Sequence, residues 1–193
     1  MFENLIKYNI VLASNSPRRK ELLGGLDIPF EVRIIPDIDE RYPENLHASE
    51  IPEYIAREKA AAYRPSMNDD DLIITADTVV ILGDEVMGKP ADKADACRML
   101  RELSGVTHKV ITGVCLMTKD KERSFAVTTD VSFACLSDEE ISYYVDKYKP
   151  YDKAGAYGIQ EWIGHIAVTA LNGSYFNVMG FPVQRVYSEL KNF

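Results

Sequence analysis

Ile10-Val11-Leu12-Ala13-Ser14-Asn15-Ser16-Pro17-Arg18-Arg19-Lys20-Glu21-Leu22-Leu23 passes from an apolar run into a helix start within a few residues. The apolar head reads as a buried strand, expected over residues 5–13. Ser16 suits a helix N-cap, Pro17 suits the first helical position, and Glu21 falls in the early turns, so a helix is expected over 17–26. A strand that feeds a helix is the repeating unit of α/β folds. The junction also collects Ser14, Ser16, Arg18 and Arg19 beside backbone N–H groups and the positive helix pole. Cations are disfavoured there, so two arginines are a costly placement unless an anion answers them. Guanidinium forks match phosphate oxygens in pairs, which makes phosphate the expected ligand chemistry.

Outward from this junction, strands and helices alternate. Residues 30–36 read as a strand and Pro36 to Asn45 as an acidic loop. Ile51, Tyr54, Ile55 and Ala62 recur at helical spacing within a helix over 49–63. Leu72 to Ile81 is a nearly continuous apolar run, hence a central strand, followed by a tight turn at Gly83-Asp84. A helix over 92–103 buries Ala96, Met99, Leu100 and Leu103. Two β runs, 107–118 and 123–135, flank the charged turn Lys119-Asp120-Lys121-Glu122. Ser137-Asp138-Glu139-Glu140 is a capping-box start for a helix to Tyr148. A glycine-rich loop over 154–164, a strand over 165–171, the turn Asn172-Gly173 and a helix from Pro182 complete the chain. The expected fold is α/β: one domain over 1–193, an elongated mixed-sheet body of two lobes with a cleft between them.

Composition narrows the function classes. The chain has 193 residues, 46% of them hydrophobic, which supports a sizeable core. A net charge of −8 argues against broad nucleic-acid or membrane-surface binding but permits a local basic pocket. No stretch approaches the roughly 20 apolar residues of a membrane span. Met1-Phe2-Glu3-Asn4 lacks the basic start of a leader, so a cytoplasmic location is expected. Cys97, Cys115 and Cys135 are widely spaced and form no metal or disulfide pattern. His47, His108 and His165 are equally scattered and suggest no triad.

Several side chains are candidates for chemistry. Asp77 lies within an apolar strand, where a carboxylate needs a metal, a base or a hydrogen-bond network. Asp37-Ile38-Asp39-Glu40-Arg41 clusters carboxylates on a loop, and Lys59 sits on a helix; by themselves both read as solvated surface. Lys89 is framed by Gly88 and Pro90, which fix the backbone and let an ammonium approach a phosphate chain. Gly155 and Gly158 permit close approach of the backbone to a ligand, and Gln160 has an amide that can pair with a base edge. There is no Walker sequence and no Gly-x-Gly-x-x-Gly.

Six segments, in order, resemble the motifs of the Maf family of nucleoside triphosphate pyrophosphatases. They are Ser14 to Arg19, Ala76-Asp77-Thr78-Val79-Val80, Gly88-Lys89-Pro90, Leu103-Ser104-Gly105-x-x-His108-x-Val110-x-Thr112-Gly113, Asp152-Lys153-Ala154-Gly155-Ala156-Tyr157-Gly158-Ile159-Gln160 and Asn172-Gly173-Ser174-Tyr175. The resemblance implies a nucleotide-binding cleft in a fold like that of inosine triphosphatases. It also implies hydrolysis of a nucleoside triphosphate to the monophosphate and pyrophosphate. Asp77 matches the catalytic proton acceptor, as base, metal ligand or both. Glu40, or Asp39 at an offset of one, matches the acidic loop and would share Mg²⁺ or Mn²⁺ with Asp77. Arg18, Arg19, Lys59 and Lys89 would face phosphate, with Ser14 and Ser16 adding hydroxyl contacts. Arg18, Thr78 and Gln160 match positions tied to substrate choice.

The Ala-Gly-Ala-Tyr-Gly-Ile-Gln form resembles the branch acting on dTTP and UTP, a nucleotide-pool house-cleaning activity. A homodimer is a family expectation. Asn15, Glu161-Trp162 and Phe181 depart from the commoner family pattern, and Glu161 and Trp162 adjoin the expected base pocket. Three rivals are a purine triphosphate pyrophosphatase, a nucleotide-binding regulator of cell division and septum formation without essential turnover, and a nucleic-acid-binding module. Gln160 argues against the first. The second would need no catalytic carboxylate. The acidic balance argues against the third.

Overall fold

The computed structural model describes residues 3–193. Met1 and Phe2, which open the segment read for a leader, lie outside the described residues. The regular elements are β1 (Asn9–Leu12), α1 (Pro17–Gly24), β2 (Glu31–Val32), α2 (Ile51–Ala61), β3 (Asp71–Leu82), β4 (Glu85–Met87), α3 (Lys93–Leu103) and β5 (Thr107–Met117), continuing with β6 (Glu122–Phe133), α4 (Asp138–Tyr148), α5 (Trp162–Ala167), β7 (Val168–Asn172), α6 (Tyr175–Val178) and α7 (Val183–Lys191). The strands form one mixed sheet in the order β2-β1-β3-β5-β6-β7, with β4 paired to β3. β1 runs parallel to both β2 and β3, whereas β3–β4 and β6–β7 are antiparallel. The α/β expectation therefore holds, with a sheet of mixed direction. Among the described residues no helix is long and apolar enough to cross a membrane.

The chain divides into two compact units. The first takes the described residues up to Asp77, Thr112–Val127 and Gly180–Phe193; the second takes Thr78–Ile111 and Thr128–Met179. In the first unit, Val11, Ala56, Ala60, Tyr63, Met67, Ile73, Cys115 and Met117 form a buried cluster. Thr75, wholly buried, donates its hydroxyl proton to the Ala56 carbonyl at 2.6 Å, so β3 is pinned to α2 through a satisfied polar group. Gly113 permits a close approach of β5 to α2: a Cβ there would lie 2.3 Å from the Pro52 carbonyl. In the second unit, α3 buries Ala96, Cys97, Met99, Leu100 and Leu103, and α4 buries Ile141, Tyr144 and Val145. The capping box at Ser137 and Glu140 is formed as expected.

Three boundaries differ from the sequence expectation. The strand expected over 5–13 shortens to Asn9–Leu12, because pairing begins where Asn9 meets Asp71, its amide donating to the Asp71 carboxylate at 2.9 Å. The strand expected over 30–36 stops after Val32. Beyond it the Tyr63 hydroxyl takes over the backbone, donating to the Arg33 carbonyl and accepting from the Ile35 amide. The strand expected over 165–171 is preceded by a helix, α5, whose buried Ile163 and Ala167 obey helical spacing; the strand itself is Val168–Asn172.

Asp71 is buried and pairs with Arg33 at 2.6 Å. Burial alone would raise its carboxyl; hydrogen bonds from Arg33, Asn68 and Asn9 overcome that and hold it at about 2.

Candidate active site

The strand-to-helix junction is built as the sequence suggests. Ser16 caps α1, its hydroxyl accepting from the Arg19 amide at 3.4 Å, and the Ser14 hydroxyl accepts from the Ser16 amide at 3.2 Å. Both hydroxyls act through their lone pairs, and each keeps a proton of its own to donate. Arg19, expected to grip phosphate, is also tied to the backbone of its own unit. Its Nε donates to the Gly180 carbonyl at 2.8 Å and its Nη1 to the Ala76 carbonyl at 2.7 Å. The guanidinium thus ties α1 to the middle of β3, at the residue before Asp77. Burial pulls Arg19 below its ordinary range; Asp77 pushes it back up, Arg18 lowers it and Glu40 raises it. These couplings put Arg18, Arg19, Glu40 and Asp77 within one electrostatic neighbourhood of the first unit.

The centre of that neighbourhood is Lys59. Its ammonium lies 2.8 Å from Asp77 Oδ1 and 2.9 Å from Glu40 Oε1. The Lys59 and Asp77 side chains are 15% and 14% exposed, whereas Glu40 is 51% exposed. The sequence reading set Lys59 towards phosphate; here one ammonium bridges two carboxylates. Asp77 satisfies the expectation that a carboxylate in an apolar strand needs a charged or hydrogen-bonding partner. In the acidic loop Glu40 is the carboxylate paired with Lys59, whereas Asp39 pairs with Arg41 in solvent. Among the described residues no three His, Cys, Asp or Glu side chains are grouped to hold a metal ion by themselves.

Thr78, Lys89 and Gln160 belong to the second unit. Lys89 is exposed on the loop after β4. The Gly155 amide donates to the Gly88 carbonyl at 3.1 Å, joining the Gly88-Lys89-Pro90 turn to the loop that carries Gln160. That loop is conformationally unusual: Gly155 and Ala156 have φ of 65° and 59° in succession. A Cβ at Gly155 would lie 2.8 Å from Val80 Cγ2, so glycine is needed for space as well as for backbone. Ala156 has no such freedom and holds a strained conformation because its surroundings impose it.

Sequence reasoning missed the side chains that brace this loop. His108 Nε2 meets the Tyr157 hydroxyl at 2.7 Å, and Phe133 packs edge-on against both rings. Burial pushes the His108 imidazole down to about 4, which keeps it neutral. Tyr144 and Lys153 converge on Glu161: the Tyr144 hydroxyl donates to Glu161 Oε2 and accepts from the Gly158 amide at 3.1 Å, and Lys153 Nζ lies 3.2 Å from Glu161 Oε1. Burial first, then the bond to Glu161, raises the Tyr144 phenol far above its ordinary value. The one sequence signal for this network is Glu161 itself, a charged residue next to the expected base pocket.

Fold and cluster together define an α/β protein with a carboxylate–ammonium–carboxylate cluster in the same unit as the capped start of α1. The family model described as Maf-like protein matches residues 9–193, and the chain belongs to that family. It is 66% identical to a dTTP/UTP pyrophosphatase of Parabacteroides distasonis over 100% of both chains. It is 65% identical to a dTTP/UTP pyrophosphatase of Phocaeicola vulgatus over 99% of each. Among solved structures, a HAM1 protein from Coxiella burnetii shares the fold, with a TM-score of 0.54 at 14% identity over 96% of this chain and 100% of that one.

Proposed function

We propose that this protein hydrolyses dTTP and UTP, and modified pyrimidine nucleotides like them, to the monophosphate and pyrophosphate, clearing them from the nucleotide pool. The observation that carries the reading is the Glu40–Lys59–Asp77 bridge. The names of full-length relatives at 66% and 65% identity support the pyrimidine assignment. They also favour an enzyme over a nucleotide-binding regulator.

Two carboxylates that converge on one cationic point suit a divalent ion, which takes hard oxygen ligands and keeps several waters. Glu40 and Asp77 would hold Mg²⁺ or Mn²⁺, with phosphate oxygens and water as its other ligands. The ion supplies charge neutralisation to the phosphate chain. Asp77 accepts the proton of the attacking water. The water oxygen bonds to the α-phosphorus, the bond from that phosphorus to the bridging oxygen breaks, and pyrophosphate leaves with the electron pair. Arg18, Arg19, Lys59 and Lys89 would offset charge on the phosphate oxygens, together an effect of several kcal/mol. Ser14 and Ser16 donate to them. Arg19 also holds the Ala76 and Gly180 carbonyls, keeping α1 registered to Asp77. Thr78 and Gln160 contact the base.

Purified protein with Mg²⁺ or Mn²⁺ and a panel of nucleoside triphosphates tests this reading. Pyrophosphate and monophosphate from dTTP and UTP are expected. Release chiefly from inosine or guanine nucleotides would overturn the pyrimidine assignment, and diphosphate with inorganic phosphate would overturn the bond assignment.

A further inference from the structure

Glu161 stands at the N-cap position of α5 but makes no capping bond there. Its carboxylate turns instead to Tyr144 and Lys153, whose side chain is 9% exposed. A carboxylate only accepts, so the Tyr144 proton is committed to Glu161, and the phenol oxygen is left to receive the Gly158 amide. The chain of bonds has one direction, Gly158 N–H to Tyr144 O–H to Glu161, and it locks the backbone two residues before Gln160. Lys153 is in turn held by Asp152 at 2.7 Å.

The same cluster bears on the Gln160 amide. A methyl group at Gly158 would lie 2.9 Å from Gln160 Nε2, 3.0 Å from the Glu161 carboxyl carbon and 3.1 Å from Lys153 Cε. The glycine therefore leaves one space into which all three side chains gather. The negative Glu161 carboxylate on that side favours the NH₂ end of the amide there over the carbonyl end. Gln160 Oε1 is then the group left over, and it is buried with no partner among the described residues. A buried acceptor without a donor is expensive, so it favours a ligand that brings one.

We propose that Glu161 is a specificity-determining positioning residue: with Tyr144 and Lys153 it sets the orientation of the Gln160 amide, so that Oε1 reads the ring N3–H of uracil and thymine and rejects cytosine. This rests on the pyrimidine triphosphate reading above. At ring position 3 uracil and thymine present a donor, whereas cytosine presents a lone pair, which would face the Gln160 carbonyl oxygen in repulsion. Sites that hydrogen-bond one partner discriminate strongly against an analogue that lacks it. Neutralising Glu161 removes the reason for the amide to hold one orientation; the flipped amide offers cytosine the donor it needs.

Two variants test this, Glu161→Gln and Tyr144→Phe, with thermal melting to confirm that each is folded. The first readout is the ratio of kcat/KM for UTP over CTP. The second is independent of turnover: Trp162 is the single tryptophan of the chain, follows Glu161 directly, and packs 4.9 Å from the Tyr143 ring, so its emission reports uridine and cytidine monophosphate binding. The expected result is a fall of about tenfold in the UTP-over-CTP ratio in either folded variant, expressed in KM, with the same loss in the Trp162 titrations. An unchanged ratio in a folded variant overturns the inference. So does wild-type Trp162 emission that ignores uridine monophosphate while pyrophosphate release from UTP is intact. A Trp162 response that prefers uridine over cytidine monophosphate, without pyrophosphate release from any nucleotide, overturns the reaction reading and supports the base reading.

Discussion

The Lys59 cluster of the first unit and the Gln160 loop of the second are both polar sites in apolar surroundings, but they are stabilised in opposite ways. At Lys59, full charges face full charges, and Glu40 keeps half of its side chain in solvent. At Gln160, direction matters more than charge: Tyr144 has one proton, it goes to Glu161, and the Gly158 amide fills the lone pair behind it. The first arrangement tolerates exchange of one cation for another, which a site that meets a changing phosphate charge requires. The second holds a geometry, which base recognition requires. On the proposed reading, chemistry and selectivity are carried by separate devices, and damage to one is expected to spare the other.

The largest expected effect comes from Lys59→Met. Without the ammonium, Glu40 and Asp77 lose the cation they share, and the phosphate chain loses one of its facing charges. Turnover of UTP should fall about 10³-fold with the UTP-over-CTP preference retained, measured by pyrophosphate release. A lost preference would break the separation. The next effect belongs to the second unit. Because burial holds His108 at about 4 against an ordinary 6.5, the unfolded chain binds this proton first as pH falls. Stability contributed by neutral His108 is complete above pH 6.5 and is lost progressively towards pH 4, by about 3 kcal/mol. Denaturant titrations from pH 7 to 4 should show this slope, and a folded His108→Gln variant should not. The smallest effect is Arg19→Lys. One ammonium cannot serve both the Gly180 and Ala76 carbonyls with a planar fork, so the midpoint of urea unfolding should drop by the equivalent of about 2 kcal/mol.

The first of these sites was more legible in the sequence than the second. Asp77 inside an apolar strand announces its need for a partner, and the cap at Ser16 follows from local rules about helix starts. The α/β alternation was equally readable because the apolar run of β3 and the amphipathic α3 obey different periods. What escaped was set by contacts distant in sequence. The bonds of Arg19 to the Gly180 and Ala76 carbonyls, 161 and 57 residues away, leave no mark on the sequence around it. The strand after Glu31 ends early because the Tyr63 hydroxyl, 28 residues from Ile35, replaces the ladder. Tyr144 meets the cluster of Lys153, Gly158 and Glu161 only where α4 packs against the glycine loop, so no local pattern marks it as their partner. Gly158 and Glu161 were visible in the sequence, but the bonds that join them through Tyr144 were not.

The most direct test of the account is a single preparation of Asp77→Asn mixed with UTP and Mg²⁺ or Mn²⁺, in which bound nucleotide and released pyrophosphate are measured together. Asparagine preserves the shape of the side chain within β3 but cannot accept the water's proton. The account predicts nucleotide bound within a few-fold of wild type and pyrophosphate release reduced by at least about 10²-fold. Release at the wild-type rate would contradict it.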